Sequence, residues 1–339
     1  SAPSRFCVHN PDYSPPAGTT PQGRKKCAML VGLPATPPTQ YADKAAAPAA
    51  GPSRRLVDIG CYDLRTMTRS LLRRALLILL GLFAAFYGVL ALLLALDDEA
   101  IEALRVAPAP TDTIAIFGAS GTAGDGILKA ALADPRVRRI HVITRRVTPR
   151  MESGEAAGKV QVTRHMDYLD YAAIREQVAE ADAVFWAIGI SSRGVDEETY
   201  GRIHVDFPRQ FVTQWLQVSR KPAVTFHYIS SSDISEDSRM MWAREKVRAE
   251  KTLFALAEGS SLNVVFYRPD YIGPTREEAH PGQRLLYGFF APVGAAVKAV
   301  QIGQAMLEMT ARADSISHGD TLDTRDILLY SDAYERRTN

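Results

Sequence analysis

The most restrictive stretch of this chain is Gly118-Ala-Ser-Gly-Thr-Ala-Gly124. It follows the apolar run Thr113-Ile-Ala-Ile-Phe117 without a spacer and opens a helix-length segment, Thr122–Ala133. Strand, glycine loop and helix in that order let the chain turn tightly, bring backbone N–H groups close to an anion and aim a helix N-terminus at it. Three glycines alone specify little. In this order they point to a dinucleotide pyrophosphate, cradled by Gly118, Ser120, Gly121, Thr122, Ala123 and Gly124, against the alternative of a structural turn that has lost its ligand.

The residues beyond the loop repeat the same grammar. Short apolar runs at Ile140–Thr144, Val160–Arg164, Ala183–Ile188, Val224–Ser230 and Leu262–Tyr267 alternate with helical patterns at Tyr171–Ala179, Thr199–Val218 and Met240–Glu258. Strand–helix alternation at this spacing predicts a parallel sheet covered on both faces, an α/β fold of the Rossmann-type, doubly wound kind, over residues 112–339.

The segments ahead of it are of another nature. Residues 1–66 hold ten of the twenty prolines, all three cysteines (Cys7, Cys27 and Cys61), and no sustained period of 2 or 3.6. Such a segment cannot bury enough apolar surface to offset its ordering entropy, and a flexible Pro/Ala-rich extension is expected. Its eight Lys/Arg against four Asp also suit a targeting segment, and Met67 offers an alternative start. The 278 residues after Cys61 contain no thiol, which excludes a cysteine nucleophile and a Cys-ligated metal there; no metal site is expected. With 40 Lys+Arg against 38 Asp+Glu, bulk electrostatic attraction to nucleic acid is not expected either.

Ala75 to Leu96 are 22 consecutive uncharged residues. As a helix they span roughly 33 Å, against about 30 Å for a bilayer core. A single transmembrane helix over residues 70–97 is expected, with a linker over 98–111 and the lipid bilayer as a partner. Arg65, Arg69, Arg73 and Arg74 precede the run, and Asp97, Asp98, Glu99 and Glu102 follow it. Counting cations keeps the N-terminal side inside. A cofactor-binding domain belongs where its cofactor is abundant, and the expectation leans that way.

After the second strand a NAD site offers a carboxylate to the ribose 2′-hydroxyl. Here Thr144-Arg-Arg146 stands instead. Two guanidiniums suit a 2′-phosphate, so Arg145 and Arg146 point to NADP(H) in preference to NAD(H). Asp167, after the third strand, is placed to accept from the adenine amino group, or to serve as a turn or N-cap residue.

Taken with Ala187-Ile-Gly-Ile-Ser-Ser-Arg-Gly194, Val205-Asp206, Tyr228-Ile-Ser-Ser-Ser232, Lys246, Arg268-Pro269, Gly303-Gln-Ala-Met306 and Leu328-Leu-Tyr-Ser-Asp332, these motifs resemble the short-chain dehydrogenase/reductase superfamily. They look closest to its atypical branch of Tat-interacting-protein-type oxidoreductases. The resemblance covers residues 112–336 and leaves out the extension and the apolar run. It implies that Ala187, Ile188 and Gly189 also touch the cofactor. It implies a catalytic Ser, for which Ser231 is the candidate beside Ser230 and Ser232, and a Lys, Lys246, that holds the nicotinamide ribose and lowers the pKa of a Tyr four residues earlier. That position is Trp242. An indole N–H cannot exchange a proton as a phenol does. General acid–base catalysis contributes about 10²–10⁴-fold, which this site forgoes unless another group supplies it.

Three readings follow: a membrane-anchored NADP(H)-binding protein with impaired chemistry, acting as a structural, sensing or assembly component of a larger membrane assembly; an active NADPH-dependent oxidoreductase on an apolar carbonyl, using another proton donor; and an interaction module without cofactor. Tyr267 and Tyr271 could donate only by a different geometry. His204 and His227 are expected to be structural or exposed. The loop Asp270–Phe290 is expected to cap the substrate side.

Overall fold

The computed structural model describes residues 64–96, 99–101, 111–275, 280–312 and 317–338. Asp63–Asn339 form one compact unit. Residues 1–63 of the expected extension over 1–66 and most of the expected linker over 98–111 lie outside the described residues, and residues 64–66 belong to a helix instead of an extension.

Seven strands form one parallel sheet: β1 Thr113–Phe117, β2 Arg139–Thr144, β3 Val160–Arg164, β4 Ala183–Trp186, β5 Val224–Ile229, β6 Leu262–Arg268 and, after a separate pair, β9 Thr321–Asp323. Their order is β3-β2-β1-β4-β5-β6-β9; the separate pair is β7 Tyr271–Gly273 with β8 Ala296–Lys298. The order reverses direction between β1 and β4, which opens a crevice at the carboxyl ends of those two strands.

Period-2 alternation divides β1 between two cores. Ile114 and Ile116 face the helices Thr122–Ala133, Ala299–Ala311 and Thr324–Thr338 and join Phe185, Val265 and Ile302. Ala115 and Phe117 face Phe207–Val218 and Met241–Ala257 and join Trp186, Phe211 and Phe226. Burial on both faces explains why these strands read as continuous apolar runs.

The helix expected over Thr199–Val218 is interrupted. Glu197–Gly201 is α-helical, Arg202–Asp206 is a π-turn, and Phe207–Val218 resumes the α-helix. Pro208 has no N–H to give to the carbonyl of His204, four residues back. That carbonyl accepts instead from the buried Tyr228 hydroxyl, at 2.9 Å.

All of the apolar run but Leu96 lies within a single helix, Leu64–Ala95, that begins ahead of the flanking arginines. Leu71–Ala95 is long and apolar enough to cross a membrane, with a mean hydropathy of 2.7. The segment read as a loop over Asp270–Phe290 contains β7 and the helix Pro281–Phe290. Pro281 stands in its first turn, where no N–H is needed, and His280 and Gln283 form a capping box.

Candidate functional site

The carboxyl ends of β1, β2, β4 and β5 deliver their loops to one crevice with two lobes. One lobe, a cavity of about 220 Å³, is lined by Gly118, Ser120 and Gly121 after β1, by Thr144, Arg145 and Arg146 at and after β2, and by Ala187, Ile188 and Gly189 after β4. Tyr168, Ile190, Ile203 and Phe207 complete it. The second lobe, about 500 Å³, shares Gly121 and Ala187–Ile190 and adds among others Thr122, Ala123, Ser230, Ser231, Trp242 and Lys246.

The glycine loop has this shape for steric reasons. Gly118 takes φ +82°, and a Cβ there would lie 2.6 Å from the carbonyl carbon of Ala187. At Gly124 a Cβ would lie 2.1 Å from the oxygen of Gly118, so this glycine lets the helix start press against the loop from beneath. Gly124 lines neither lobe. Gly121 caps the helix with no side chain, and Thr122 and Ala123 of the first turn line the crevice, where a helix N-terminus favours negative charge.

Arg145 and Arg146 are exposed, on a turn locked by Thr144, whose Oγ1 donates to the Arg146 carbonyl at 2.7 Å and accepts from its N–H at 3.2 Å. Asp167 is exposed and outside both lobes. Its Oδ1 accepts from the Leu169 N–H at 3.0 Å, the geometry of a turn residue.

Lys246 is buried on the helix Met241–Ala257, its ammonium donating to the Ile229 carbonyl at 2.8 Å and to Tyr228 Oη at 3.3 Å. Tyr228 in turn holds the carbonyl that Pro208 leaves open, so the π-turn, β5 and the lysine are joined in one hydrogen-bond chain. Burial pushes the Lys246 pKa down to about 7, opposed by the Glu250 carboxylate one turn on. Glu250 is held by Arg268, whose Nε donates at 3.0 Å. Trp242, one turn before Lys246, is half-buried and lines the same lobe.

Ser230 and Ser231 both reach this lobe; Ser232 does not line it. The Ser230 Oγ is buried without a hydrogen-bond partner among the described residues, whereas Ser231 is half-buried. Two wall residues carry no motif in the sequence, Tyr200 and His204, whose rings stack at 4.1 Å. His204 was expected to be structural or exposed. It is buried, with its Nε2 3.3 Å from the Ile190 N–H, and burial together with the Lys246 charge lowers its pKa to about 2, so it is neutral. Burial raises the Tyr200 phenol to about 12. Tyr271 also lines the lobe. Tyr267 is buried away from it, its hydroxyl 2.9 Å from His227 Nδ1, which leaves it to packing and hydrogen bonding.

The buried ammonium gives stability a sign. Between pH 7 and 10 the unfolded chain keeps this proton while the folded chain releases it, so stability rises with pH by up to about 1.4 kcal/mol per unit. Below the folded pKa both states are protonated and the full penalty applies. Lys246→Met is therefore expected to melt above the wild type at pH 6–7, with the gap closing toward pH 10, as thermal scans of ligand-free protein would show. A pH-independent difference would mean that the lysine is not titrating in the fold.

No family model matches the chain. A protein named "Protein fmp52-1, mitochondrial" from Aspergillus terreus is 29% identical over 196 residues, covering 55% of this chain and 79% of the relative. "Protein fmp52, mitochondrial" from Emericella nidulans is 25% identical over 195 residues, covering 57% and 80%. Among solved structures, a Serratia marcescens short-chain dehydrogenase/reductase variant superposes with a TM-score of 0.51 at 16% identity, over 64% of this chain and 97% of that one. The fold is thus that of the short-chain dehydrogenase/reductases.

Proposed function

We propose that this chain is a membrane-anchored NADP(H)-binding protein of the short-chain dehydrogenase/reductase type, with its proton-transfer machinery broken at Trp242. The observation that carries the reading is one crevice in which the glycine loop joins a lobe bearing Arg145 and Arg146 to a lobe bearing Lys246 and Trp242. A dinucleotide fits that plan. The residues of the loop after Gly118 would hold its pyrophosphate, Arg145 and Arg146 would hold its 2′-phosphate, and Lys246 would hold the ribose of its nicotinamide half. When bound, the nicotinamide supplies a hydride. The protein contributes the ammonium that holds the ribose and a serine, Ser231 with Ser230 beside it, to orient a carbonyl; it offers an indole where a phenol would give the proton.

The names of the relatives support a mitochondrial location and the apolar helix Leu71–Ala95 supports a membrane one, with the domain on the side where NADP(H) is abundant. A role as a structural, sensing or assembly component fits a site that keeps the nucleotide without fast chemistry. A second reading, an active reductase on an apolar carbonyl, is favoured by Tyr200 and Tyr271, two phenols that line the same lobe.

The two readings separate by experiment. NADPH added to the full chain in detergent, once co-purified nucleotide has been washed out, is expected to quench tryptophan emission by energy transfer, since Trp242 lines the lobe assigned to the nicotinamide, while aliphatic and aromatic ketones and aldehydes leave the NADPH absorbance unchanged over hours. Rapid loss of absorbance that Tyr200→Phe abolishes would establish the second reading.

A further inference from the structure

The helix Pro281–Phe290 buries none of its residues, carries one charge, Arg284, and has no acidic residue. Leu285 is 76% exposed, and Leu286 and Phe289 are 46% and 45% exposed. Helices of a soluble domain turn such a face inward. This one turns it outward, beside the long apolar helix.

The two helices touch at a defined level. The Tyr87 hydroxyl donates to the Phe289 carbonyl at 2.5 Å, and the Tyr87 and Phe289 rings stack at 5.5 Å. Further along, a Cβ at Gly294 would stand 3.2 Å from Leu94 Cδ1. Among the residues of the apolar helix whose burial is described, 71–95, Tyr87, Leu90, Ala91 and Leu94 are half-buried, the i, i+3, i+4, i+7 stripe of one face. Glu99 pairs with Arg325 just beyond its end. Tyr87 lies eight residues before Ala95, about 12 Å back along the helix axis. The contact with Phe289 therefore falls within the length of helix that a bilayer would cover, not beyond it.

We infer that the helix Pro281–Phe290 is an interfacial membrane element, lying in the headgroup–acyl boundary with Leu285, Leu286 and Phe289 in lipid, alongside the span that holds the chain. The inference rests on the membrane-anchored reading above. Its occupant is lipid and not another protein because the exposed face is continuous with a helix that is itself sheathed in exposed Leu, Ile, Val and Phe side chains. Leu285 stands one turn before Phe289, the residue that stacks on Tyr87 of that helix. An amphipathic helix in this layer buries its apolar face about 5–10 Å deep. Leu71–Ala95 runs about 36 Å against a core of about 30 Å, so a centred span overhangs by about 3 Å at its end and the Tyr87 level lies about 9 Å inside the core. Gln283, on the same helix, lines the lobe that holds Trp242 and Lys246. The docked helix thus brings the substrate side of the crevice to the lipid surface.

The test is depth-dependent quenching in the full chain. Leu285→Trp and, as a control, Leu82→Trp are reconstituted into phosphatidylcholine vesicles containing lipids spin-labelled near the headgroup or deep in the acyl chain. The wild-type signal from Trp186, Trp215 and Trp242 is subtracted. Both sites are exposed, so neither variant disturbs a packed core. Leu285→Trp is expected to be quenched at least twofold more by the shallow label than by the deep one, and Leu82→Trp the reverse. Quenching of Leu82→Trp without Leu285→Trp would overturn the interfacial helix and leave the span standing. Quenching of neither would overturn the span, and the inference with it. A Leu285→Trp signal shielded from both the lipid labels and aqueous iodide would assign the face to a protein partner and overturn the inference.

Discussion

Replacing Trp242 with Tyr is expected to raise NADPH-dependent carbonyl reduction by about 10²–10⁴-fold, the contribution a positioned general acid typically makes. Positions 242 and 246 lie one turn apart and line the same lobe of the crevice. Lys246 has three donors, two of which go to Ile229 and Tyr228, leaving one for a phenol or a ribose hydroxyl. A phenol four residues before it would feel the ammonium, which favours the phenolate and depresses the pKa. Trp242 is only half-buried, so the smaller ring leaves a partial cavity costing about 1–3 kcal/mol, not enough to unfold a domain of this size. Trp242→Phe, which makes the same space without a hydroxyl, is expected to gain nothing. A wild type that already reduces carbonyls briskly, and keeps doing so as Trp242→Phe, would place the proton donor elsewhere.

The second large effect concerns cofactor choice. Arg145→Ala or Arg146→Ala is expected to weaken NADPH binding by about 10–100-fold, because each charge-assisted contact to a phosphate contributes about 1.5–3 kcal/mol. NADH, which lacks the 2′-phosphate, is expected to bind nearly as before. The turn should survive both substitutions, since it is held by the Thr144 hydroxyl and the backbone of Arg146, not by either guanidinium. Paired titrations of the two nucleotides check this directly, and equal losses for both would mean that the arginines act on something other than the 2′-phosphate.

What could be read from residues alone followed how local each signal is. The bounds of β1, β3 and the helix Thr122–Ala133 emerge as expected because apolar period and glycine punctuation coincide there. The strands β7, β8 and β9 are three residues long and carry no period to detect. Pro149–Ala156 buries only Met151 and Gly154, and Pro281–Phe290 buries nothing, so neither shows an inward stripe. In the site, the glycine loop, the arginine pair and Lys246 each sit in a contiguous motif. Tyr200 and His204 do not. They reach the crevice because Pro208 deprives one carbonyl of its partner and the helix widens into a π-turn, a consequence of hydrogen bonding between distant elements. The choice between Ser230 and Ser231 depends on which way the chain leaves β5, and a run of three serines cannot encode that.

The most direct test of the central claim is the identity of the nucleotide that accompanies the protein. Full-length chain purified in detergent without added cofactor, then denatured and analysed by mass spectrometry, is expected to release NADP⁺ or NADPH in near-stoichiometric amount. Release of NAD(H) would contradict the role given to Arg145 and Arg146, and no dinucleotide, with none taken up on incubation with NADPH, would contradict the binding crevice itself.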